Sequence, residues 1–256
     1  MTENTTPHIA VVTGASQGLG RALVHELAGR GVRVAALARD PAALNALVAE
    51  VTGVPVVPVT ADVADPAQVA RAFGEIRETL GHPTILINNA AVYPRRDLLE
   101  ETPESLMAAV AINLGGVIAC CHAVLPEMVA RGQGRIINVA TFADLRPAPR
   151  AAAYSVSKGA ARIFTKSLVA ELGDRFPGIV INDWIPGALA TRMGPSDGST
   201  PEDAARWGAT LALRDDRALN GLTFDRNIEH QEPRSLKRKL KHMVLGGYRP
   251  PIELDG

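Results

Sequence analysis

The chain has 256 residues, of which 46% are apolar, and this is enough to bury a sizeable core in one α/β domain. Its 27 basic and 27 acidic residues give a net charge of zero, so we expect no nucleic-acid partner. The only two cysteines, Cys120 and Cys121, are adjacent, which excludes a disulfide framework and leaves no cluster with zinc spacing. We expect no metal site and a reducing, cytoplasmic location.

The N-terminal segment, residues 1–7, is polar and has no basic stretch before an apolar run, unlike a signal peptide. We expect no later apolar run to be long enough to span a bilayer. The sequence therefore predicts a soluble protein with no membrane partner.

Short β-branched apolar runs alternate with longer Ala- and Leu-rich stretches, which is typical of parallel βαβ units. This predicts an α/β fold in a single domain, with helices on both faces of a doubly wound parallel sheet and so three layers. The predicted strands are residues 9–12, 32–37, 54–59, 85–87, 135–139 and 179–185. Helix starts are marked by a capping residue before proline at Asp40-Pro41, Asp65-Pro66, Thr102-Pro103 and Thr200-Pro201.

The C-terminal tail differs in character from residues 1–224, and we treat residues 225–256 as an extension of the domain. Residues 231–242 hold five basic side chains against one acid, and apolar side chains recur there and just beyond at helical spacing. We interpret this segment as a basic amphipathic helix that packs on the body or on a second subunit, and we expect a homo-oligomer, a dimer or a tetramer. The alternative is a helix that binds a membrane surface or a nucleic acid.

A glycine-rich turn follows the first predicted strand, with Gly14, Gly18 and Gly20 before a helix. Glycines let the backbone approach a ligand closely, and a helix N-terminus offers free N–H groups to a pyrophosphate. A dinucleotide would suit this turn. The spacing is G-x-x-x-G-x-G rather than G-x-G-x-x-G, and the alternative is a turn with no ligand.

The end of the second predicted strand bears on the choice of dinucleotide. An acid there would receive the ribose hydroxyls of NAD, whereas an arginine can pair with the 2′-phosphate of NADP. Here Ala38 is followed by Arg39, so we favour NADP (NADPH) over NAD. The alternative is that Asp40 is the ribose acid, but Asp40 is better explained as a helix cap.

Tyr154 and Lys158 lie one turn apart in a stretch without proline that we predict to be helical. A phenol ionises near pH ~10 in water, and a neighbouring ammonium lowers that pKa toward useful proton transfer at a carbonyl group. The alternative is an ordinary surface pair.

Further motifs occur in order along the chain: Asn88-Asn89-Ala90-Ala91, Asn113 within Ile112-Asn113-Leu114-Gly115, Asn138-Val139-Ala140-Thr141, and Pro186-Gly187 with Thr191. With the glycine turn and the Tyr154–Lys158 pair, this set resembles the short-chain dehydrogenase/reductase family over about residues 8–225. The resemblance implies a Rossmann-type sheet and transfer of hydride between a nicotinamide and a carbonyl or alcohol.

The resemblance also implies roles for single residues. Tyr154 would be the proton donor or acceptor, Lys158 would bind the nicotinamide ribose and lower the tyrosine pKa, and Asn113 would hold a water in a proton relay. Thr141 stands where the family usually has serine, and we expect its hydroxyl to substitute. The residues implied in cofactor binding are Gly14, Ser16, Gln17, Gly18, Leu19, Gly20, Arg39, Asp62, Val63, Asn89, Ala91, Tyr154, Lys158, Pro186, Gly187, Leu189 and Thr191.

Two further departures from the family pattern concern the cofactor and the C-terminus. Gln17 replaces a basic residue, so 2′-phosphate binding would depend chiefly on Arg39 with help from Ser16. The family's C-terminal strand is replaced by residues 220–226, and the usual tetramer interface is therefore in doubt.

We therefore predict a cytoplasmic NADPH-dependent oxidoreductase, a ketoreductase, acting on a small carbonyl or alcohol substrate. The alternatives are an NAD-dependent alcohol dehydrogenase and a dinucleotide sensor without catalysis. Tyr93 and Trp184 would line the substrate pocket or belong to the core. Arginines on the substrate side would bind an anion, although we favour ordinary surface side chains for Arg95, Arg96, Arg146 and Arg150.

Overall fold

A computed structural model describes residues 8–231 and 249–254 of the chain. The strands in this part are β1 (Ile9–Thr13), β2 (Arg33–Ala38), β3 (Val56–Thr60), β4 (Ile85–Asn88), β5 (Gly134–Val139), β6 (Ile179–Ile185), β7 (Thr223–Asp225) and β8 (Ile228–Glu229). The α-helices there are α1 (Gly18–Gly29), α2 (Pro41–Glu50), α3 (Pro66–Thr79), α4 (Pro103–Val110), α5 (Gly116–Arg131), α6 (Ala152–Leu172) and α7 (Pro201–Leu213). A π-helical turn, Ala111–Gly115, joins α4 to α5.

The strands form one sheet in the order β3-β2-β1-β4-β5-β6-β7-β8. Strands β1 to β7 are parallel to one another, and β8 is antiparallel to β7. All six predicted strands are present within two residues of their expected bounds. The predicted doubly wound sheet of Rossmann type is therefore confirmed.

The expected loss of the C-terminal strand is wrong. Residues Thr223–Asp225 form β7, which pairs in parallel with the end of β6. Only Phe224 of this strand is buried, and three residues are too few to show the alternation by which a strand is recognised in sequence. The predicted boundary between residues 224 and 225 falls inside β7, so the sheet continues past it.

Helices cover both faces of the sheet, which gives the three predicted layers. Helices α1, α2 and α7 lie on one face, where Leu23, Leu44 and Trp184 are fully buried. Helices α3, α5 and α6 lie on the other face, around the buried side chains of Phe73 and Val124. The sheet is thus covered on both sides, as its continuously apolar strands require.

The four helix starts marked by proline are confirmed. The side chains of Asp40, Asp65, Thr102 and Thr200 accept hydrogen bonds from backbone N–H groups in the first turns of α2, α3, α4 and α7. Each cap satisfies donors that a helix N-terminus leaves free. The caps therefore hold four of the loops that leave the carboxyl ends of the strands.

The helical segment Pro103–Arg131 is long and apolar enough to cross a membrane, with a mean hydropathy of 2.0 over its most apolar window. We expected no apolar run long enough to span a bilayer, and the length and composition of this segment show that this expectation is wrong. Part of the apolar surface has another explanation, because Val117, Cys120, Cys121 and Val124 are buried against the sheet. Burial also raises the pKa of both thiols, which agrees with a packing role for the cysteines.

The C-terminal residues 249–254 return to the edge of the sheet beside β8. The backbone N–H of Glu229 donates to the Ile252 carbonyl at 2.8 Å, and that of Leu254 donates to the Asn227 carbonyl at 2.7 Å. Leu254 is only 1% exposed and belongs to the same core cluster as the buried residues of α1 and α7. The predicted basic helix of the tail, with Leu236, Leu240, Met243 and Val244, lies outside the described residues apart from its first position.

Burial of Leu254 predicts that the C-terminus contributes to stability. Leu254→Ala should lower the free energy of unfolding by about 2–5 kcal/mol because it leaves a cavity in the core. Leu99→Ala is the matched control, since Leu99 is 97% exposed and its truncation should change little. Denaturant unfolding of both variants tests this, and equal stabilities would show that residues 249–254 are not part of the folded core.

Candidate active site

The strand order reverses between β1 and β4, which are neighbours in the sheet. In open α/β sheets, ligands bind at such a switch point, outside the carboxyl ends of the strands. Because β1 to β6 are parallel, the loops that carry most of the predicted site residues leave this one edge. After β1 to β6 these residues are Gly14, Ser16, Gln17, Gly18, Leu19, Gly20, Arg39, Asp62, Val63, Asn89, Ala91, Thr141, Pro186, Gly187, Leu189 and Thr191.

The glycine turn after β1 has a backbone that other residues would strain. Gly14 and Gly18 have φ of +67° and +53°, in the left-handed region. A Cβ atom on Gly20 would lie 2.2 Å from the Gly14 carbonyl oxygen. The Asn89 side-chain amide donates to the Thr13 carbonyl at 2.8 Å and thereby ties the turn to the end of β4.

The N-terminus of α1 has no side-chain cap and no acidic residue in its first turn. It differs in this from α2, α3, α4 and α7, whose first-turn N–H groups bind a side chain. Free N–H groups and the positive end of the helix dipole suit a pyrophosphate. The turn therefore fits a dinucleotide.

The loop after β6 lies against this turn. A Cβ atom on Gly18 would be 3.3 Å from Cγ2 of Thr191, so the two segments touch. Leu189 is buried and forms a bridge with Ser199, which folds the loop compactly. Gly187, at φ +87°, supplies the turn that leads out of β6. The loop thus forms one wall of the crevice.

Arg39 lies at the exposed end of β2, with its side chain 66% accessible. Its Nη1 atom is 3.8 Å from Oδ2 of Asp62, so an acid stands near the guanidinium without covering it. The Asp40 carboxylate accepts hydrogen bonds from the N–H groups of Ala42 and Ala43, at 3.0 and 3.1 Å. Asp40 is therefore engaged as a helix cap, and Arg39 is the basic side chain available at this position.

Tyr154 and Lys158 occupy successive turns of α6, as predicted. Lys158 is 5% exposed, and its Nζ donates to the Val139 carbonyl at the end of β5, at 2.7 Å. Tyr154 is half-buried beside Thr141, whose Oγ1 also accepts from the Ala143 N–H at 3.1 Å. The end of β5 and the start of α6 thus bring three of the four predicted catalytic residues together.

The electrostatics of this group differ from the expectation for Tyr154. Burial raises the pKa of the phenol, and the hydroxyl of Thr141 only partly opposes that effect. The expected lowering by Lys158 is not found, and burial lowers the pKa of the Lys158 ammonium itself to about 8. Tyr154 is consequently a neutral phenol at neutral pH in the structure.

Asn113 lies in the π-helical turn between α4 and α5 and is fully buried. Its side-chain amide exchanges two hydrogen bonds with the backbone of Val92 and donates a third to the Ser157 hydroxyl, at 2.8, 2.9 and 2.9 Å. The amide therefore joins the loop after β4 to α6. A role of Asn113 in holding a relay water stays a prediction, and its side chain is already occupied.

The two aromatic candidates for the substrate pocket have different positions. Trp184 belongs to the core, where it is fully buried and its Nε1 donates to the Arg226 carbonyl at 3.0 Å. Tyr93 stacks on Tyr154, with ring centroids 4.4 Å apart, and the Arg95 guanidinium lies 5.1 Å from the Tyr93 centroid. Tyr93 is therefore the aromatic neighbour of Tyr154.

One buried acid near the site was not predicted from the sequence. Asp183, on β6, is 4% exposed, and burial raises its pKa to about 6, against the lowering effects of the Thr165 hydrogen bond and of the charges of Arg162 and Lys158. An acid within the apolar strand Ile-Val-Ile-Asn-Asp-Trp-Ile was the available signal. This signal did not identify Asp183 as a site residue, because the sequence does not show which side chains a buried acid contacts.

Fold and site together define a dinucleotide-binding protein equipped for proton transfer. The family model for short chain dehydrogenases matches residues 8–202. A 3-oxoacyl-[acyl-carrier-protein] reductase of Synechocystis sp. is 35% identical over 191 residues, covering 73% of this chain and 76% of its own. Human L-xylulose reductase is 35% identical over 195 residues, covering 76% of this chain and 77% of its own.

A solved structure agrees with these relatives. The gluconate 5-dehydrogenase of Burkholderia cenocepacia, in complex with NADP and tartrate, superposes with a TM-score of 0.76 at 29% identity, over 85% of this chain and 92% of that one. The chain belongs to the short-chain dehydrogenase/reductase family. It is an NAD(P)-dependent oxidoreductase that acts on CH–OH or C=O groups.

The position of Thr141 beside Tyr154 predicts that its hydroxyl matters and its methyl group does not. Thr141→Ser should retain most turnover, whereas Thr141→Ala should lose about 10- to 100-fold in kcat because a hydrogen-bonding group at the reaction centre is removed. Steady-state kinetics of the two variants side by side measure this. An alanine variant as active as the serine variant would contradict a role for the hydroxyl.

Proposed function

We propose that the protein is an NADPH-dependent ketoreductase, which reduces a small carbonyl compound to an alcohol. The observation that carries the proposal is the placement of the Tyr154 hydroxyl and the Lys158 ammonium beside the end of β5, at the edge that also holds the glycine turn. This arrangement offers a proton donor next to a dinucleotide crevice.

Residues on both sides of the switch point would hold the cofactor. The N-terminus of α1 would bind the pyrophosphate, and Arg39 would pair with the 2′-phosphate. Asp62 and Val63, which follow β3, would border the adenine, and Lys158 would bind the nicotinamide ribose. When bound, the nicotinamide supplies the hydride for reduction or accepts it in the reverse direction.

The chain's own residues would handle the proton. Tyr154 would donate its phenolic proton to the carbonyl oxygen of the substrate, with the Thr141 hydroxyl holding that oxygen in place. Burial keeps the pKa of Tyr154 above its ordinary value, so the group is protonated at neutral pH.

Known proteins support the cofactor and direction without naming a substrate for this chain. The Burkholderia structure holds NADP, and both curated relatives described above are reductases by name. The loop after β6 forms a small wall of the pocket, and Tyr93 stacks on Tyr154. Both features support a small carbonyl compound as substrate. The four arginines on the substrate side, Arg95, Arg96, Arg146 and Arg150, are all exposed, which agrees with ordinary surface positions.

We also propose a cytoplasmic homo-oligomer. Apolar side chains remain exposed on three helices of one layer, and these support burial against a second subunit. They are Met107 on α4, Ile118 on α5, and Val156 and Ile163 on α6.

The proton donor is tested by Tyr154→Phe, which removes only the hydroxyl. Turnover should fall by about 10²- to 10⁴-fold, while NADPH affinity should change little because Lys158 and the glycine turn remain. Kinetics with a panel of ketones and a cofactor titration give the two numbers. Near-normal turnover by the phenylalanine variant would remove Tyr154 from the mechanism.

The cofactor preference is tested by Arg39→Ala. NADPH binding should weaken by about 1–3 kcal/mol, and NADH binding much less, because charge-assisted contacts to the 2′-phosphate are lost. Arg131→Ala is the matched control, since Arg131 is exposed at the end of α5, toward the opposite edge of the sheet. A wild-type preference for NADH would contradict the proposal and favour the NAD-dependent oxidation of an alcohol.

A further inference from the structure

A buried ion pair lies beside the candidate active site, between α6 and the loop that follows β5. The guanidinium of Arg162 faces the carboxylate of Asp144, and the two side chains are 10% and 6% exposed. Nε lies 2.5 Å from Oδ2 and Nη2 lies 3.0 Å from Oδ1, so both carboxylate oxygens are engaged. The loop comes close to the helix here, since a Cβ atom on Gly159 would lie 3.3 Å from Cβ of Asp144. Burying two charges costs free energy, and the other contacts of the pair show what it holds in place.

The same guanidinium also binds the backbone of the loop. Nη2 of Arg162 donates to the carbonyl oxygen of Thr141 as well as to Asp144. The Thr141 side chain is tied into the loop in turn, because its Oγ1 accepts from the Ala143 N–H at 3.1 Å. One arginine of α6 thus binds both ends of the segment 141–144.

Arg162 continues a row of contacts that α6 makes with the end of β5. Lys158 donates to the carbonyl of Val139, and Arg162, four residues further along the helix, donates to that of Thr141. Residues four apart lie on one face of a helix. Successive turns of this face therefore hold two carbonyl groups of the chain that leaves β5.

The rest of the loop is shaped by its own turns. The N–H groups of Leu145 and Arg146 both donate to the Phe142 carbonyl, at 3.0 Å, and these bonds stay within the loop. Attachment to the rest of the structure comes from the Arg162 guanidinium on the inner side. On the outer side, the Phe142 ring packs edge-on against the ring of His230, with centroids 5.0 Å apart.

We propose that Arg162 is a positioning residue: it holds the loop after β5 against α6 and so keeps the Thr141 hydroxyl beside Tyr154. The inference rests on the proposed function for its catalytic meaning, because Thr141 and Tyr154 act there on the carbonyl oxygen of the substrate. In this role Arg162 works through the loop and not on the reacting atoms. Its effect on turnover therefore passes through Thr141.

Arginine suits this role better than lysine. A guanidinium presents several N–H donors in a rigid plane, so one side chain can bind two carboxylate oxygens and a carbonyl at once. Loss of Arg162 would leave the Asp144 carboxylate buried without its partner and the Thr141 carbonyl without this donor. The loop could then move away from Tyr154, while the glycine turn and the other cofactor contacts would remain.

The kinetic test is a double-mutant cycle between positions 162 and 141. Arg162→Met removes the guanidinium and keeps apolar bulk, and it is made in the wild-type protein and in Thr141→Ala. In wild type kcat should fall by about 10- to 100-fold, and in Thr141→Ala by less than about 3-fold, because the hydroxyl that Arg162 positions is already gone. The dissociation constant of NADPH should stay within about 2-fold of its wild-type value, and Arg162→Lys should recover part of the lost kcat.

Arg135→Met is the matched control. Arg135 is also a buried arginine that donates to a backbone carbonyl, that of Leu211, but it lies near the start of β5, at the opposite end of the strand from Thr141. This variant should lose stability and keep its kcat. Equal fold losses of kcat from Arg162→Met in both backgrounds would overturn the proposal, as would an equal loss in Arg135→Met. If Arg162→Met does not fold, Arg162→Met/Asp144→Asn removes both charges of the pair and is read in the same way.

Amide hydrogen exchange in the cofactor-free protein tests the attachment of the loop without turnover. The N–H groups of Ala143, Leu145 and Arg146 donate within the loop, so a loosened loop should exchange them faster. We expect exchange about 10-fold faster in Arg162→Met than in wild type or in Arg135→Met. Unchanged exchange in an enzyme that reduces ketones would overturn the proposal and leave the proposed function standing. Faster exchange in a protein that reduces no ketone would uphold the attachment of the loop and contradict the proposed function.

Discussion

The buried ammonium of Lys158 is the interaction on which the candidate site depends. Removing a cation from water costs free energy. Oriented dipoles or an opposite charge beside the cation must offset that cost. The Val139 carbonyl at the end of β5 accepts a hydrogen bond from the Lys158 ammonium, at 2.7 Å. Val139 pairs in register with Trp184 of β6, so the pairing of the sheet fixes the position of this acceptor.

The position of Tyr154 follows from that of Lys158. One helical turn separates them on α6, so anchoring Lys158 at the end of β5 brings Tyr154 beside Thr141, which follows the same strand. Asn113 fastens the helix from the other side through Ser157. The Tyr154 hydroxyl is thereby held by contacts to the sheet and to the π-helical turn, rather than by a mobile loop.

A second constraint concerns the glycine turn after β1. The glycine turn must pass close to the end of β4, where Asn89 binds the backbone of Thr13. A side chain at Gly20 would collide with the turn itself. The crevice at the switch point and the anchored catalytic helix therefore lie at one edge because the strands that carry them are parallel.

Local signals in the sequence predicted most of the fold. Asp40, Asp65, Thr102 and Thr200 cap helices as expected because a cap depends on residues two or three positions away. Strand β7 escaped prediction because its identity depends on pairing with β6, not on its own three residues.

The candidate site could be predicted only in part, for the same reason. The order of the motifs identified Tyr154, Lys158 and Thr141, whereas the stacking of Tyr93 on Tyr154 is a contact between distant segments. The raised pKa of Tyr154 likewise comes from burial, which spacing along a helix does not report.

The most direct test of the account is isotope transfer. NADPH with deuterium at C4 of the nicotinamide, prepared separately in each stereochemical form, is incubated with the wild-type protein and a panel of ketones, and the products are analysed by mass spectrometry. The account predicts one deuterium on the carbinol carbon of a product alcohol from one of the two forms, and loss of that product in Tyr154→Phe. Tight binding of NADPH without deuterium transfer to any ketone of a broad panel would contradict it and favour a dinucleotide-binding protein without catalysis.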